Sequence, residues 1–338
     1  MLKFGIVGFG GLAKAHFGNI EKVKESHPDI ECVAICDINP EAFTKGTEMN
    51  IGTVEAPDLS AYRLYTSPEE MLEKEELDFI ISAIPTLEHS RIAVMAMEKG
   101  LHVFSEKPMA RSLEQAQAMI DAAKKNNRTL MIGQCVRYFA SYARAKEIVD
   151  SGEYGKVMRA DFKRLSMFPA WCWDNWYGKD EWSGGAALDL HVHDVDFINY
   201  IFGKPKAVFS SATNFDHIHE CISTIYEYED GKIVTCTGDW SLPSSYPFTA
   251  AFLIHMEKAV LEIRRGQPLT IYKADGTTEQ VEVTPGDGYV KEVVDFINCI
   301  KEGRWSTINN PDTAYASLEI AMAEKKSADT KERFTFNL

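Results

Sequence analysis

The first third of the chain alternates two hydrophobic rhythms. Residues 2–7 (LKFGIV) form a short apolar run, and Leu12, His16, Ile20 and Val23 then recur at helical spacing. A second apolar run covers 31–36, and Pro40 opens a short helix. Ser67-Pro68-Glu69-Glu70 reads as a helix start, with a capping serine and proline at the first helical position. Residues 78–84 (DFIISAI) predict a buried strand, followed by a helix through Ala93 and Met97 that stops at Gly100. Residues 102–105 are another strand, Ser112 caps another helix, and 129–132 closes the series. Strands alternating with helices at this interval predict βαβ units and a parallel sheet. Right-handed crossovers then make it a doubly wound, Rossmann-type α/β domain.

Past about residue 135 the rhythm changes. One long helix is predicted over 186–202, ending before Gly203. Ile222, Thr224, Tyr226 and Tyr228 fall on one face of a strand, and Asp230-Gly231 and Asp275-Gly276 are tight-hairpin signals. Residues 289–302 and 311–325 predict closing helices. This half reads as α+β with a mostly antiparallel sheet. The 338 residues therefore divide into a dinucleotide-binding domain, 1–133, and a second domain, 134–338.

Composition narrows the partners. A formal net charge of −14 repels phosphate backbones and anionic lipid, which argues against nucleic acid and membrane surfaces. No apolar stretch approaches the roughly 18–20 residues a bilayer crossing needs. No signal peptide is expected, because residue 2 already opens a strand pattern, so the protein is expected in the cytoplasm. Seven scattered cysteines suggest neither a disulfide framework nor a metal site. Cys32 and Cys36 are read as small buried hydrophobes in a reducing compartment.

Gly8-Phe9-Gly10-Gly11-Leu12-Ala13 matches G-x-G-x-x-A directly after the first strand and at the opening of the first helix. Gly8 permits the tight turn, Gly10 lets backbone approach a pyrophosphate, and Ala13 permits close helix–strand packing. The helix N-terminus favours the anion. Asp37 ends the second strand, where a carboxylate accepts the ribose hydroxyls of NAD and repels a 2′-phosphate. No arginine follows it, so NAD is favoured over NADP. Asp37 lies 29 residues after Gly8, against about 20 in the usual pattern, which asks for a long first helix.

Glu106-Lys107-Pro108 follows the strand at 102–105 and puts Lys107 on the ligand-binding rim of the sheet, where it can bond a substrate hydroxyl or relay its proton. In Gly184-Gly185-Ala186-Ala187-Leu188-Asp189-Leu190-His191-Val192-His193, Asp189 and His193 lie four apart and project together from a helix. His193 has the titration range of a general base, and Asp189 can orient it or assist the same hydroxyl. Trp171, Trp173, Trp176 and Trp182 fall within 12 residues. They make either an aromatic platform for sugar CH faces, with Asp174 or Asn175 on hydroxyls, or a hydrophobic clamp.

Taken together, the glycine turn, the E-K-P tripeptide and G-G-x-x-x-D-x-x-x-H resemble the glucose–fructose oxidoreductase / inositol dehydrogenase (Gfo/Idh/MocA-type) family. Ala83-Ile84-Pro85-Thr86-x-x-His89 resembles that family's loop beside the nicotinamide ribose. Gln134-x-x-Arg137-Tyr138 resembles its interdomain crossover, and Gly152-Glu153-Tyr154-Gly155-Lys156-Val157 its lead into the sheet domain. The resemblance implies Lys107, Asp189 and His193 as the catalytic trio. It implies a cofactor site of Gly8, Gly10, Gly11, Leu12, Ala13, Asp37, Ala83, Pro85, Thr86, His89, Glu106 and Lys107. Arg137, Trp171, Trp173, Asp174, Trp176 and His191 are the expected substrate contacts; His191 stands where many relatives have glycine. The implied activity is hydride exchange between nicotinamide and a hydroxyl or ketone carbon of a sugar or cyclic polyol. The implied C-terminal sheet is large with one open face, which predicts a homodimer or homotetramer.

Three other readings compete. His191-x-His193 and His217-x-His219 suggest a metal hydrolase, but two positions on a helix are about 200° apart and cannot share an ion, so no metal is expected. A non-catalytic NAD-bound sensor does not need Lys107, Asp189 and His193 together. An NAD-using glycosidase stays open, and would cleave sugar without releasing NADH.

Overall fold

The computed structural model describes residues 1–49 and 52–336. The first domain is built on strands β1 (Leu2–Val7) and β2 (Ile30–Cys36), with a small hairpin of β3 (Thr47–Met49) and β4 (Gly52–Val54) beside them. It continues with β5 (Arg63–Tyr65), β6 (Phe79–Ser82), β7 (His102–Glu106) and β8 (Leu130–Gly133). Six of these pair in parallel in the order β5-β2-β1-β6-β7-β8. The order reverses between β1 and β6, which is where ligands bind in open α/β sheets.

The helices begin where the sequence supplies caps. Helix α1 (Gly11–Ser26) is the long first helix that the position of Asp37 asks for. Ser67 Oγ accepts the Glu70 N–H at 3.2 Å to start α2 (Pro68–Lys74). Helix α3 (His89–Glu98) ends ahead of Gly100, which takes φ +87°, and Ser112 caps α4 (Leu113–Asn126). α3 and α4 cover one face of the sheet with Ile92, Ala96, Met119 and Ile120.

The other face carries α1 and, from the far end of the chain, α9 (Gly288–Glu302). Between them the chain runs through α5 (Ala140–Ser151), α6 (Asp180–Ser183), α7 (Gly185–Asp189) and α8 (Val192–Phe202) to α9 (Gly288–Glu302) and α10 (Pro311–Thr330). Phe296 of α9 meets the rings of Phe79 and Phe104 edge-on, with centroids 5.6 and 5.7 Å apart. Residues 288–302 thus leave the 134–338 half and complete the core of the first sheet.

The second sheet has nine strands: β9 (Val157–Leu165), β10 (Ala207–Thr213), β11 (Cys221–Glu227), β12 (Ile233–Asp239), β13 (Thr249–Met256), β14 (Ala259–Ile263), β15 (Thr270–Lys273), β16 (Thr278–Gln280) and β17 (Phe334–Thr335). Their order is β16-β15-β14-β13-β9-β12-β11-β10-β17, antiparallel except for β9 with β12. Ile222, Thr224 and Tyr226 turn to the helix-covered face, beneath α8 and α10. The opposite face exposes Phe209 and its cross-strand partner Ile225, with Ile233 and Met158.

Two elements differ from the sequence reading. The single helix expected over 186–202 is two helices: the His191 N–H bonds the Ala186 carbonyl at 2.8 Å, five residues back, and a new helix starts at Val192. The amphipathic α5, with Tyr142, Ala145 and Ile148 inward, goes unpredicted by the strand-rich pattern around it.

Candidate active site and cofactor groove

The β1 and β6 ends approach closely. Gly8 has φ +83°, and a Cβ there would strike the Ala83 carbonyl and the Ile84 side chain, so only glycine fits. Gly10 precedes α1 with no side-chain cap and no acidic residue in the first helical turn. The first N–H groups of α1 are left for an incoming anion. The Asp37 carboxylate is held by the Phe9 N–H at 2.6 Å and the Asn39 N–H at 2.7 Å. Burial raises its pKa, and those two donors and Lys14 oppose the rise. Lys14 Nζ is itself tied to the Lys45 carbonyl at 2.5 Å and Thr47 Oγ1 at 3.1 Å. A groove of about 780 Å³ runs past Gly8, Gly10, Gly11, Leu12 and Asp37, then past Ala83, Pro85, Glu106 and Lys107. The cradle, the uncapped helix start and the carboxylate at the β2 end fit a dinucleotide.

A second cavity of about 290 Å³ adjoins it, and Leu12, Glu106, Lys107, Trp171, Tyr177 and Asp189 border both. Lys107 Nζ donates to Asp189 Oδ1 at 3.0 Å and to the Asp189 carbonyl at 2.9 Å. The break after Asp189 turns that residue toward β7, while His193 enters the smaller cavity from α8. His193 Nδ1 is buried, with no hydrogen-bond partner among the described residues. Burial first, then the charges of Lys107 and Arg164, push the His193 pKa well below its ordinary value, so the imidazole stays neutral. Arg164 lines the cavity too, but Asp194 engages its guanidinium at 2.7 and 3.2 Å.

Several predicted contacts lie elsewhere. Arg137 is buried away from both cavities, forked onto Asp196 at 2.8 and 2.5 Å and bonded to the Ile308 carbonyl and Thr313 Oγ1. It ties the crossover to α8 and α10 and does not reach substrate. His191 is fully buried behind the sheet, 3.0 Å from Glu324 and pressed against Gly238, so it neither touches nor narrows the cavity. His89 spans the Ile84 and Pro108 carbonyls at 2.9 and 2.8 Å, a brace behind the groove wall rather than a cofactor ligand. Thr86 is buried outside the groove lining, and Ala13 packs inward against the sheet. Asp174 takes φ +51°, pairs with Lys179 at 2.5 Å and lies outside both cavities. Trp173, Trp176 and Trp182 line the cofactor groove, and only Trp171 of the four reaches the smaller cavity. Arg164, Tyr177 and Tyr289 line the smaller cavity without having been singled out. Their signal, inward polar positions flanking the motifs, is common to most strands and loops.

The fold and the paired cavities define a two-domain, dinucleotide-binding oxidoreductase. A family model described as "Oxidoreductase family, NAD-binding Rossmann fold" matches residues 2–134, and one described as "GFO/IDH/MocA C-terminal domain" matches 142–262. The chain belongs to this GFO/IDH/MocA oxidoreductase family, and its first domain is an NAD-binding Rossmann domain. An uncharacterized oxidoreductase of Streptococcus pneumoniae is 29% identical over 220 residues, which are 64% of this chain and 55% of that one. A myo-inositol 2-dehydrogenase of Thermotoga maritima is 26% identical over 98% of this chain and 97% of its own. The solved structure of a levoglucosan dehydrogenase, in complex with NADH and levoglucosan, superposes with a TM-score of 0.85 at 20% identity, covering all of both chains.

Proposed function

We propose that this protein is an NAD(H)-dependent dehydrogenase acting on a hydroxyl or ketone carbon of a sugar, sugar derivative or cyclic polyol. The observation that carries this is the meeting of Lys107, Asp189 and His193 where the dinucleotide groove opens into the smaller cavity. Bound NAD supplies the hydride acceptor. Gly8, Gly10 and the α1 N-terminus would hold its pyrophosphate, and Asp37 the adenosine ribose.

The chain's own groups do the rest. Neutral His193, which lines the smaller cavity, takes the hydroxyl proton. Lys107, fixed by Asp189, donates to the same oxygen and steadies its developing negative charge. Trp171 and Tyr177 wall the cavity and exclude water. Inositol and anhydrosugar dehydrogenases among the relatives support this substrate class.

A screen of cyclic polyols, aldoses and their lactones or keto forms tests the reading. It is expected to yield free NADH, read at its own absorbance, with at least one neutral polyol or sugar. Cleavage of a glycoside without net NADH would favour the glycosidase reading instead.

The same proposal includes cytoplasmic residence, supported by seven free cysteines. It also includes a homodimer or homotetramer through the exposed sheet face around Phe209 and Ile225. Light scattering is expected to give two or four times the 38.0 kDa chain mass; a monomer at micromolar concentration would end that part.

A further inference from the structure

Behind Lys107, three ionisable side chains from three separate elements meet in the interior. His16 comes from α1, Glu106 from the end of β7 and Glu292 from α9. All three are buried, and one ligating atom of each lies within 4.8 Å of the others. His16 Nε2 and Glu106 Oε1 share a hydrogen bond of 2.7 Å. Among the described residues neither oxygen of Glu292 has a hydrogen-bond partner, and Glu292 is 0% exposed. Glu106 also accepts the Lys107 N–H at 3.2 Å and borders both the dinucleotide groove and the substrate cavity. The cluster therefore touches the groove through one carboxylate and holds the other in reserve.

Two buried carboxylates and an imidazole this close together need a proton or a cation to join them. Two donors on one tetrahedral divalent ion, each at about 2.0–2.1 Å, sit about 3.3 Å apart. The 2.7 Å contact between His16 and Glu106 is closer than that and is a hydrogen-bond length. The geometry points to a proton.

An oxidised nicotinamide ring carries a positive charge and the reduced ring does not. We propose that His16, Glu106 and Glu292 form a proton-holding triad that senses this difference. Glu292 carries a proton when the groove is empty or holds NADH. When NAD⁺ brings its charge beside Glu106, the O–H bond of the Glu292 carboxyl breaks and the proton leaves to solvent; no electrons move. Glu106, which borders the groove, would be the member to feel the ring's charge, and His16 and Glu292 are positioning residues that act through it. The inference rests on the cofactor groove and not on the choice of substrate.

The surroundings set the direction. Burial first, then the charges of Glu106 and Asp287, raise the Glu292 pKa well above the usual carboxylate range. The other titratable groups that feel Glu106 or Glu292 are Cys135, Tyr138, Tyr177 and Tyr289, whose pKa values are raised, His89, whose pKa burial lowers, and Lys107, whose N–H bonds Glu106. A positive ring added on the Glu106 side lowers the cost of a second carboxylate charge.

The test is calorimetric titration of the purified protein with NAD⁺ and with NADH from pH 6 to 8, in two buffers of different ionisation enthalpy. NAD⁺ binding is expected to release a substantial fraction of one proton and to tighten by up to about tenfold per pH unit, while NADH affinity stays within about twofold. Glu292→Gln is expected to flatten the NAD⁺ profile and leave NADH binding in place, which a merely structural role for Glu292 would not do. If that variant does not fold, the wild-type proton count decides alone. Flat and equal profiles for both dinucleotides overturn the triad and leave the groove assignment standing. An NAD⁺ slope that survives in Glu292→Gln, or a stoichiometric divalent ion in the purified protein, also overturns it. Failure of both dinucleotides to bind would overturn the cofactor reading as well.

Discussion

Lys107→Met is expected to lower turnover by about 10²–10⁴-fold while leaving NAD affinity nearly unchanged. Methionine keeps most of the length and apolar body of the side chain but removes the ammonium that bridges to Asp189. The contacts that would hold the dinucleotide, from Gly8 to Asp37, lie elsewhere along the groove and keep their geometry. The loss should therefore fall on kcat more than on the KM for NAD. A second readout comes from His193. Lys107 is one cause of its depressed pKa, after burial, so removing the cation lets that pKa rise part of the way back. The acid limb of kcat/KM at saturating NAD should move to higher pH in the variant. Steady-state rates equal to wild type would take Lys107 out of the mechanism.

Arg137→Met is expected to destabilise the fold by about 3–5 kcal/mol, seen as a lower urea midpoint. Arg137 and Asp196 are completely buried, and the substitution leaves the carboxylate, among the described residues, with the Ser317 hydroxyl 2.8 Å away as its remaining side-chain partner. Asp196→Asn in the same background removes the stranded charge and should recover part of the loss. A single variant that unfolds with wild type would mean the pair does not hold the crossover.

Arg137 also shows where sequence reading runs out. Local physics made much of the fold legible. The alternation of strand and helix gave the parallel sheet, Ser67 and Ser112 gave helix starts, and Gly8 marked a turn that no side chain fits. What failed was sequence-distant. Nothing near Arg137 says that Asp196 and Thr313 will close on it, or that a helix at 288–302 will return to cover the first sheet. The same holds for His191, whose fate depends on Glu324 behind the sheet, and for the cluster of His16, Glu106 and Glu292. The Lys107 and Asp189 contact was legible only through the family resemblance that their short motifs carry. Asp174, in a segment dense with tryptophans, looked like a sugar ligand for its neighbours' sake, and a turn at positive φ carries it out to Lys179.

The central claim is that the nicotinamide ring and the reacting carbon meet at Lys107, Asp189 and His193. A crystal structure of Lys107→Met with NAD⁺ and a polyol that the wild type oxidises tests it most directly. The account predicts the reacting carbon about 3–3.5 Å from nicotinamide C4, with its hydroxyl within hydrogen-bond reach of His193. A ring bound away from the junction of the two cavities, or a hydroxyl facing none of these residues, would contradict it.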